Sequence, residues 1–248
     1  MLDKKNSEEI KTLREGGKIL GQILREIAKD VKVGNTGKQL NAKAEELIKQ
    51  AGGTPSFKNY HGFPDALCVS INEAVVHGIP TDKPFKEGDL VGIDLGMKYK
   101  GLYTDTAMTV PVGKISSESK QLLEVTKKSL EIAIQQLKVG GYISDIGKVI
   151  EKLVKPYNYG IVRDLAGHGV GRQVHEDPSV PNYDTGKKSV KIFDGMVIAI
   201  EPMLIMGGDW KVKTKNNGWD VISKDNSLTA HFEHSIAITK DGPIILTE

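Results

Sequence analysis

The chain has 248 residues, enough for one large domain with a sizeable core, and its 39% hydrophobic and 27% charged residues are typical of a globular protein. A formal net charge of only +2 excludes the strong positive field that favours nucleic acid or a membrane surface as a partner. The single cysteine, Cys68, excludes an internal disulfide and a thiolate cluster for structural zinc.

The N-terminal sequence MLDKKNSEEIKTLREGG is charged and has no apolar h-region, so we predict no signal peptide and expect a reducing cytoplasm as the location. No apolar run is long enough to span a bilayer. Acidic neighbours such as Glu8, Glu9 and Glu15 interleave with the N-terminal basic residues, which favours a solvated helix face. These basic residues are Lys4, Lys5, Lys11, Arg14 and Lys18.

Two helices are predicted first along the chain, one from Ser7 to about Asp30 and one capped by Thr36 and ended by Gly52-Gly53. Strands are predicted around 67–71, 89–98 and 102–110, helices at 117–138 and 143–154, and strands around 195–206 and 228–239. The order of helices followed by strands therefore occurs twice. No linker divides the chain, so residues 1–248 are predicted to form a single domain.

Residues 85–94, FKEGDLVGID, resemble residues 192–201, IFDGMVIAIE. In both segments an acidic residue and a glycine form a turn, an apolar strand follows, and a carboxylate ends the strand. Together with the repeated element order, this pattern indicates a duplicated half-domain. We therefore predict a pseudo-twofold α+β domain, with antiparallel sheets flanked by helices and with Asp94 and Glu201 at equivalent, facing positions.

Asp94 and Asp105 flank a predicted hairpin turn with the sequence KYKG. If the turn is centred between Tyr99 and Lys100, the two aspartates are direct cross-strand neighbours with Cβ atoms about 5 Å apart. Like charges at that distance repel each other, and a metal ion between them would replace the repulsion by coordination. The alternatives are a proton shared by the pair, or a register that separates the two side chains.

The second half of the chain offers further metal-ligand types. Glu201 ends an apolar strand, where an unpaired glutamate is rare. Alternation over residues 228–238 places Glu233 on the face opposite the apolar side chains, together with His231, so this face either lines a cleft or is exposed to solvent. His168 lies between glycines, which suits either a metal ligand or a packed core histidine.

These residues lie in motifs that, taken in order, resemble the type I methionine aminopeptidases over about residues 8–240. The motifs are VVHGIP, GIDLG, YTDT, GHGVGRQVHEDP, AIEP and FEHS. The resemblance implies the pita-bread (creatinase/aminopeptidase) fold, which prolidase, creatinase and proline-specific aminopeptidases share. We expect no eukaryotic zinc-binding extension, so the short bacterial or organellar form fits the resemblance best.

The resemblance also implies roles for individual residues. Asp105 and Glu233 would bridge two metal ions, Asp94 would bind one ion, and His168 and Glu201 would bind the other. His77 and His175 would contact the substrate and take part in catalysis with Glu201. The residues expected around the methionine side chain are Tyr60, Phe63, Cys68 and Trp219.

Two positions depart from the family pattern, and three histidines are left without a role. Val174 stands where a larger aromatic residue is common, and we expect it to relax crowding around the second substrate residue. Leu165 stands where an aromatic residue or Met is common. We interpret the remaining histidines as structural; they are His61, His231 and His234.

The implied activity is hydrolytic removal of the N-terminal methionine from nascent proteins and peptides, with a small second residue preferred. Two divalent ions, Co, Mn, Fe or Zn, would activate the attacking water. The expected partners are the N-terminal methionine of nascent chains and, transiently, the ribosome, with no membrane or specific nucleic acid, and the chain is expected to be a monomer. The alternatives are a proline-specific peptidase, which usually carries an additional N-terminal domain, and a metal-free module that binds peptides or proteins.

Overall fold

A computed structural model describes residues 2–248; Met1, the first residue of the predicted domain, lies outside them. The described helices are α1 (Ser7–Ala28), α2 (Gly37–Gln50), α3 (Ser117–Gln135) and α4 (Ser144–Val154), with short 3₁₀ turns at Tyr60–Gly62 and Lys155–Tyr157. The strands are β1 (Thr54–Pro55), β2 (Leu67–Ile71), β3 (Ala74–Val76), β4 (Leu90–Tyr99), β5 (Leu102–Pro111), β6 (Gly160–Ile161), β7 (Gly167–Gly169), β8 (Glu176–Val180), β9 (Met196–Ile200), β10 (Met203–Ile205), β11 (Val212–Thr214), β12 (Val221–Ser223), β13 (Thr229–His231), β14 (Glu233–Thr239) and β15 (Gly242–Ile245).

The first two helices begin where the sequence predicts them, and each has a capping box. The Asn6 side chain accepts a hydrogen bond from the Glu9 N–H at 2.9 Å, and the Glu9 carboxylate accepts one from the Asn6 N–H at 2.8 Å. Thr36 and Gln39 form the same reciprocal pair at the start of α2. Among residues 2–248, no helix has the length and apolar character needed to cross a membrane.

The main sheet has nine strands, and its order repeats around the central pair β5 and β14. On one side, β5 pairs with β4 and β4 pairs with β2. On the other side, β14 pairs with β9 and β9 pairs with β7. All of these pairs are antiparallel. Helices α1 and α2 share a core with β2 and β4, and helices α3 and α4 share a core with β9 and β14. The predicted α+β architecture with two similar halves is therefore confirmed.

The two turns in the matching segments also have the same geometry. Gly88 and Gly195 have φ angles of 91° and 88°. The N–H of Gly88 donates at 2.9 Å to the carbonyl of Val112, the residue after β5, and the N–H of Gly195 donates at 2.9 Å to the carbonyl of Ile238 in β14. A side chain at either position would be strained, which explains why a glycine follows the acidic residue in both segments.

The two long strands predicted at 195–206 and 228–239 are each broken in the structure. The first break falls at Glu201 and Pro202, between β9 and β10, and the second at Phe232, between β13 and β14. Proline has no N–H to continue the ladder. Beyond the breaks, β10 and β13 pair with each other in a separate three-stranded sheet. Glu201 and Glu233 therefore lie where two sheets meet.

The hairpin between β4 and β5 has a different register from the predicted one. Asp94 pairs with Ala107 and Gly96 pairs with Asp105, so the prediction of directly opposed aspartates is wrong. The two turn residues are Lys100 and Gly101, with φ angles of 48° and 89°. Tight hairpins favour positive φ at both central positions, which both of these residues adopt. The shift is two residues, so Asp94 and Asp105 stay on the same face as diagonal neighbours.

The N-terminal segment is tied to the loop that carries His175. Lys5 is only 1% exposed; its Nζ lies 3.0 Å from Asp3 and forms an ion pair with Glu176. Glu176 also accepts a hydrogen bond of 2.8 Å from the N–H of Gln173. The prediction that Lys5 belongs to a solvated helix face is therefore wrong, because a nearly buried carboxylate requires a cationic partner.

Candidate metal centre

Carboxylates and imidazoles from both halves of the chain converge at the junction of the two sheets. Asp105, His168 and Glu233 each offer a ligand atom, and these atoms lie within 4.8 Å of one another. Asp94 is the diagonal neighbour of Asp105, and Glu201 places Oε1 at 3.8 Å from Nε2 of His168. The structure thus brings together all five residues that the family resemblance implies as metal ligands.

The backbone at two of the acids, Asp105 and Glu233, is fixed by side chains of neighbouring strands. The Ser235 hydroxyl accepts a hydrogen bond from the Asp105 N–H at 2.9 Å and donates one to the Asp105 carbonyl at 2.8 Å. Thr106 donates its hydroxyl to the Glu233 carbonyl at 2.8 Å. The positions of the two carboxylates on β5 and β14 are therefore set by the sheet itself.

The glycines around His168 let this short strand approach its neighbours closely. A β-carbon on Gly167 would collide with the carbonyl oxygen of Ala199, and one on Gly169 with that of Asp177. The Nδ1 atom of His168 lies 2.9 Å from the Gly169 carbonyl oxygen. Since a carbonyl only accepts, we assign the proton to Nδ1, which leaves the Nε2 lone pair available to a metal.

The negative charge of the acids in this cluster is poorly compensated by protein groups alone. Burial raises the pKa of Asp105 to about 6. Burial, and then repulsion from neighbouring carboxylates, raises the pKa of Asp94 and Glu233 well above their ordinary values. Within residues 2–248, one oxygen of each acid is buried without a hydrogen-bond partner. A divalent cation would satisfy these oxygens and remove the repulsion, so the residues fit a metal site.

Glu201 differs from the other acids because imidazoles surround it. Burial would raise its pKa, but the contact with His231 and the neighbouring imidazoles of His168 and His77 outweigh burial and lower it. Nε2 of His231 lies 3.3 Å from Oε2 of Glu201. His231 therefore lies against Glu201, on the strand face that alternation assigned to Glu233 as well, and its interpretation as a structural residue stays a prediction.

A cavity of about 210 Å³ opens beside the acids. Both histidines expected to contact the substrate line it, as do His61 and all four residues expected around the methionine side chain. Its walls consist of Phe57, Tyr60, His61, Phe63, Cys68, Val76, His77, Asp94, Asp105, His168, His175, Glu201, Trp219 and Glu233.

The two histidines expected to contact the substrate have lowered pKa values, which favours their neutral form at neutral pH. Burial lowers the pKa of His77, which follows β3 with a φ of 57°. Desolvation, and then the neighbouring imidazole of His168, lowers the pKa of His175 to about 4. Nδ1 of His175 lies 3.0 Å from the Tyr60 hydroxyl, and its ring packs edge-on against His168 with centroids 4.3 Å apart. The cavity therefore has two uncharged imidazoles beside the acids.

The apolar end of the cavity includes one residue that the sequence did not indicate. The rings of Phe63 and Trp219 meet edge-on with centroids 5.2 Å apart, and Phe57 packs with Phe63, Cys68 and Val174. Phe57 precedes the 3₁₀ turn in an irregular segment, where no periodic pattern marks it.

The two departures from the family pattern lie behind the cavity wall. Val174 is 5% exposed and is not among the lining residues, so its position does not support relaxed crowding around the second substrate residue. Leu165 packs in a separate cluster with Val76 and Val162.

His234, one of the histidines interpreted as structural, lies outside the cavity, with Nδ1 at 2.8 Å from the Thr247 hydroxyl.

Comparisons with known proteins agree with this geometry. The profile of Metallopeptidase family M24 matches residues 11–240. A methionine aminopeptidase from Clostridium perfringens is 43% identical over 247 residues, which cover 100% of this chain and 99% of that protein. The crystal structure of methionine aminopeptidase from Thermotoga maritima has a TM-score of 0.97 and 42% identity, with 100% of both chains covered. The prolidase from Pyrococcus horikoshii has a TM-score of 0.79 and 27% identity, and the alignment covers 99% of this chain and 63% of the prolidase.

Proposed function

Because this chain belongs to Metallopeptidase family M24, we propose that it removes the N-terminal methionine from nascent proteins and peptides, the activity named for its full-length relatives. The pita-bread fold expected from the sequence is confirmed by its structural neighbours. The observation that carries the proposal is the cluster of buried, unsatisfied carboxylates with His168 beside an apolar slot. We further propose that residues 1–248 act as one catalytic domain.

The family uses divalent metal, and we propose two ions, of Co, Mn, Fe or Zn. A mixed carboxylate and imidazole donor set suits each of these metals. Asp105 and Glu233 would contact both ions, Asp94 would contact one, and His168 and Glu201 would contact the other. When bound, the ions supply a water whose pKa is lowered toward neutrality.

The chain's own groups then handle protons and charge. The lowered pKa of Glu201 keeps its carboxylate ionised, so it can accept the proton of the nucleophile and pass it to the leaving amine. His77 and His175, uncharged, can donate N–H hydrogen bonds to the substrate carbonyl and to the oxyanion that develops there. The hydroxyl of Tyr60 holds the ring of His175 in place for this role.

The apolar end of the cavity accounts for methionine as the first residue. Its walls, Phe57, Tyr60, Phe63, Cys68 and Trp219, are mostly apolar and suit an unbranched, polarisable thioether. The second substrate residue would lie at the histidine end of the cavity, where crowding discriminates by size. Small second residues are therefore favoured.

This selectivity is tested with a panel of Met-Xaa-Ser peptides compared by kcat/KM. We expect Met-Ala, Met-Gly and Met-Ser to be cleaved at least tenfold better than Met-Lys. Each methylene removed from the first side chain should cost about 1–3 kcal/mol, because the slot is left partly unfilled. Equal cleavage of Met-Ala and Met-Lys, or a preference for a first residue other than Met, would overturn the selectivity and leave the metal site standing.

The two alternative functions explain less of the structure. A metal-free binding module gives no reason for acids with unsatisfied buried oxygens at a single point. A proline-specific peptidase is not favoured, because the full-length relatives are named methionine aminopeptidases and the alignment leaves more than a third of the prolidase unmatched.

We also propose a cytoplasmic monomer that contacts the ribosome transiently. The segment joining β11 and β12 brings Trp219 into the cavity wall, and the exposed Lys211 and Lys213 lie in or next to the same hairpin, where Lys215 is ion-paired with Glu73 and Asp220. A basic edge next to the cavity would favour the phosphates of ribosomal RNA. Co-sedimentation with ribosomes at low salt tests this contact, and no recovery in the pellet would contradict it.

A further inference from the structure

The two oxygens of the Glu201 carboxylate face two different imidazoles. Oε1 lies 3.8 Å from Nε2 of His168, the histidine of the proposed metal site, and Oε2 lies 3.3 Å from Nε2 of His231. The side chain of His231 is 5% exposed. Within residues 2–248, Nε2 of His231 is buried and has no hydrogen bond of ordinary geometry, and its contact with Oε2 of Glu201 is the short polar contact that it makes. The Glu201 carboxylate is therefore the group toward which this unsatisfied nitrogen can donate.

The position of His231 relative to Glu201 is fixed by the backbone. The N–H of His231 donates to the Thr109 hydroxyl at 2.9 Å, and the same hydroxyl donates to the His231 carbonyl at 3.0 Å. His231 also pairs with Met203, two residues after Glu201 in the chain. The backbone of His231 is thus held from two sides, by β5 and by β10, and this places its side chain beside the carboxylate.

We propose that His231 is a positioning residue that holds Oε2 of Glu201 and thereby directs Oε1 toward the cation shared with His168. A glutamate side chain at the end of a strand has several rotatable bonds, and fixing them on metal binding costs conformational entropy. A partner that orders one oxygen beforehand removes part of that cost, as groups behind metal ligands generally do. The inference rests on the proposed function, in which Glu201 is a ligand.

Two substitutions separate positioning from packing. His231→Leu removes the N–H donor and keeps most of the volume, and His231→Gln keeps an N–H donor of similar reach. His234→Leu is the matched control: this histidine lies three residues further on, bonds Thr247 at 2.8 Å and does not line the cavity. Thermal unfolding of each metal-stripped variant first establishes that it folds.

The measurements are the affinity of metal-stripped protein for Co²⁺ by calorimetry and the visible spectrum of the Co²⁺ complex. We expect His231→Leu to bind Co²⁺ about 10- to 100-fold more weakly than the parent, with a changed spectrum. His231→Gln should recover most of the affinity, and His234→Leu should keep the parent affinity and spectrum. Parent-like Co²⁺ binding by His231→Leu, or an equal loss in His234→Leu, would overturn the proposal.

The result is distinguishable from a failure of the proposed function. If the parent binds Co²⁺ but does not hydrolyse Met-Ala-Ser, the proposed function fails while the difference between His231→Leu and His234→Leu still supports positioning. If the parent hydrolyses Met-Ala-Ser and both variants bind Co²⁺ as the parent does, the function stands and His231 has no positioning role.

Discussion

Asp105→Asn is expected to lower kcat/KM for Met-Ala-Ser at limiting metal by about 10³-fold or more, which corresponds to about 4 kcal/mol of transition-state stabilisation. Asp105 lies at the centre of the acid cluster, between Asp94 and Glu233. An asparagine keeps the shape of the side chain but loses the negative charge. Its amide therefore cannot compensate a cation in a buried site. Glu233→Gln is expected to have the same effect for the same reason.

The matched control is Asp241→Asn, the same change on an exposed residue at the turn between β14 and β15. It should leave kcat/KM and metal affinity unchanged. The assignment of Asp105 and Glu233 as ligands of both ions comes from the family resemblance. Near-normal turnover by either variant at limiting metal would contradict that assignment.

The stability of the metal-free protein should depend on pH through the same acids. The pKa of Asp105 is raised from 3.8 to about 6 in the folded protein, so between these values the folded state binds more protons than the unfolded state. Stability therefore falls as pH rises through this range, by on the order of 3 kcal/mol for a shift of this size. The raised pKa values of Asp94 and Glu233 act in the same direction.

Buried histidines act in the opposite direction, so the contribution of Asp105 must be measured as a difference. The pKa of His234 is lowered by burial to about 4, which makes the protein more stable as pH rises toward the unfolded value. Urea unfolding of the parent and of Asp105→Asn, both in chelator, should be compared at pH 4 and pH 7. The stability of the variant minus that of the parent should grow with pH, and a constant difference would contradict the electrostatic explanation. Adding Mn²⁺ at pH 7 should stabilise the parent alone.

Local patterns were sufficient to predict the four α-helices and the longest strands, β4, β5 and β14, but not most of the short strands. The apolar spacing after Ser7 and the cap at Thr36 depend on neighbours three or four residues away, which the sequence displays directly. The predicted hairpin register was wrong because the register depends on which two residues take positive φ. Lys100 is one of them, and lysine is not a residue type that indicates positive φ.

Long-range pairing explains the remaining differences. Alternation continues through Phe232, yet the strand changes sheets there, and only the pairing of β10 with β13 reveals the change. The roles of Lys5 and His231 depend on partners 171 and 30 positions away in the chain, Glu176 and Glu201. The acid cluster was predictable because the ordered motifs carried it, although no spacing argument alone would have brought Asp94 and Glu233 together.

The most direct measurement is the hydrolysis of Met-Ala-Ser and of an Xaa-Pro peptide by metal-stripped protein, before and after addition of Mn, Co, Fe or Zn. We expect no turnover in chelator. We expect release of free methionine from Met-Ala-Ser once at least one of these metals is restored, and little or no cleavage of the Xaa-Pro peptide. Cleavage of Met-Ala-Ser that survives complete chelation, or a preference for the Xaa-Pro peptide with every metal, would contradict a metal-dependent methionine aminopeptidase.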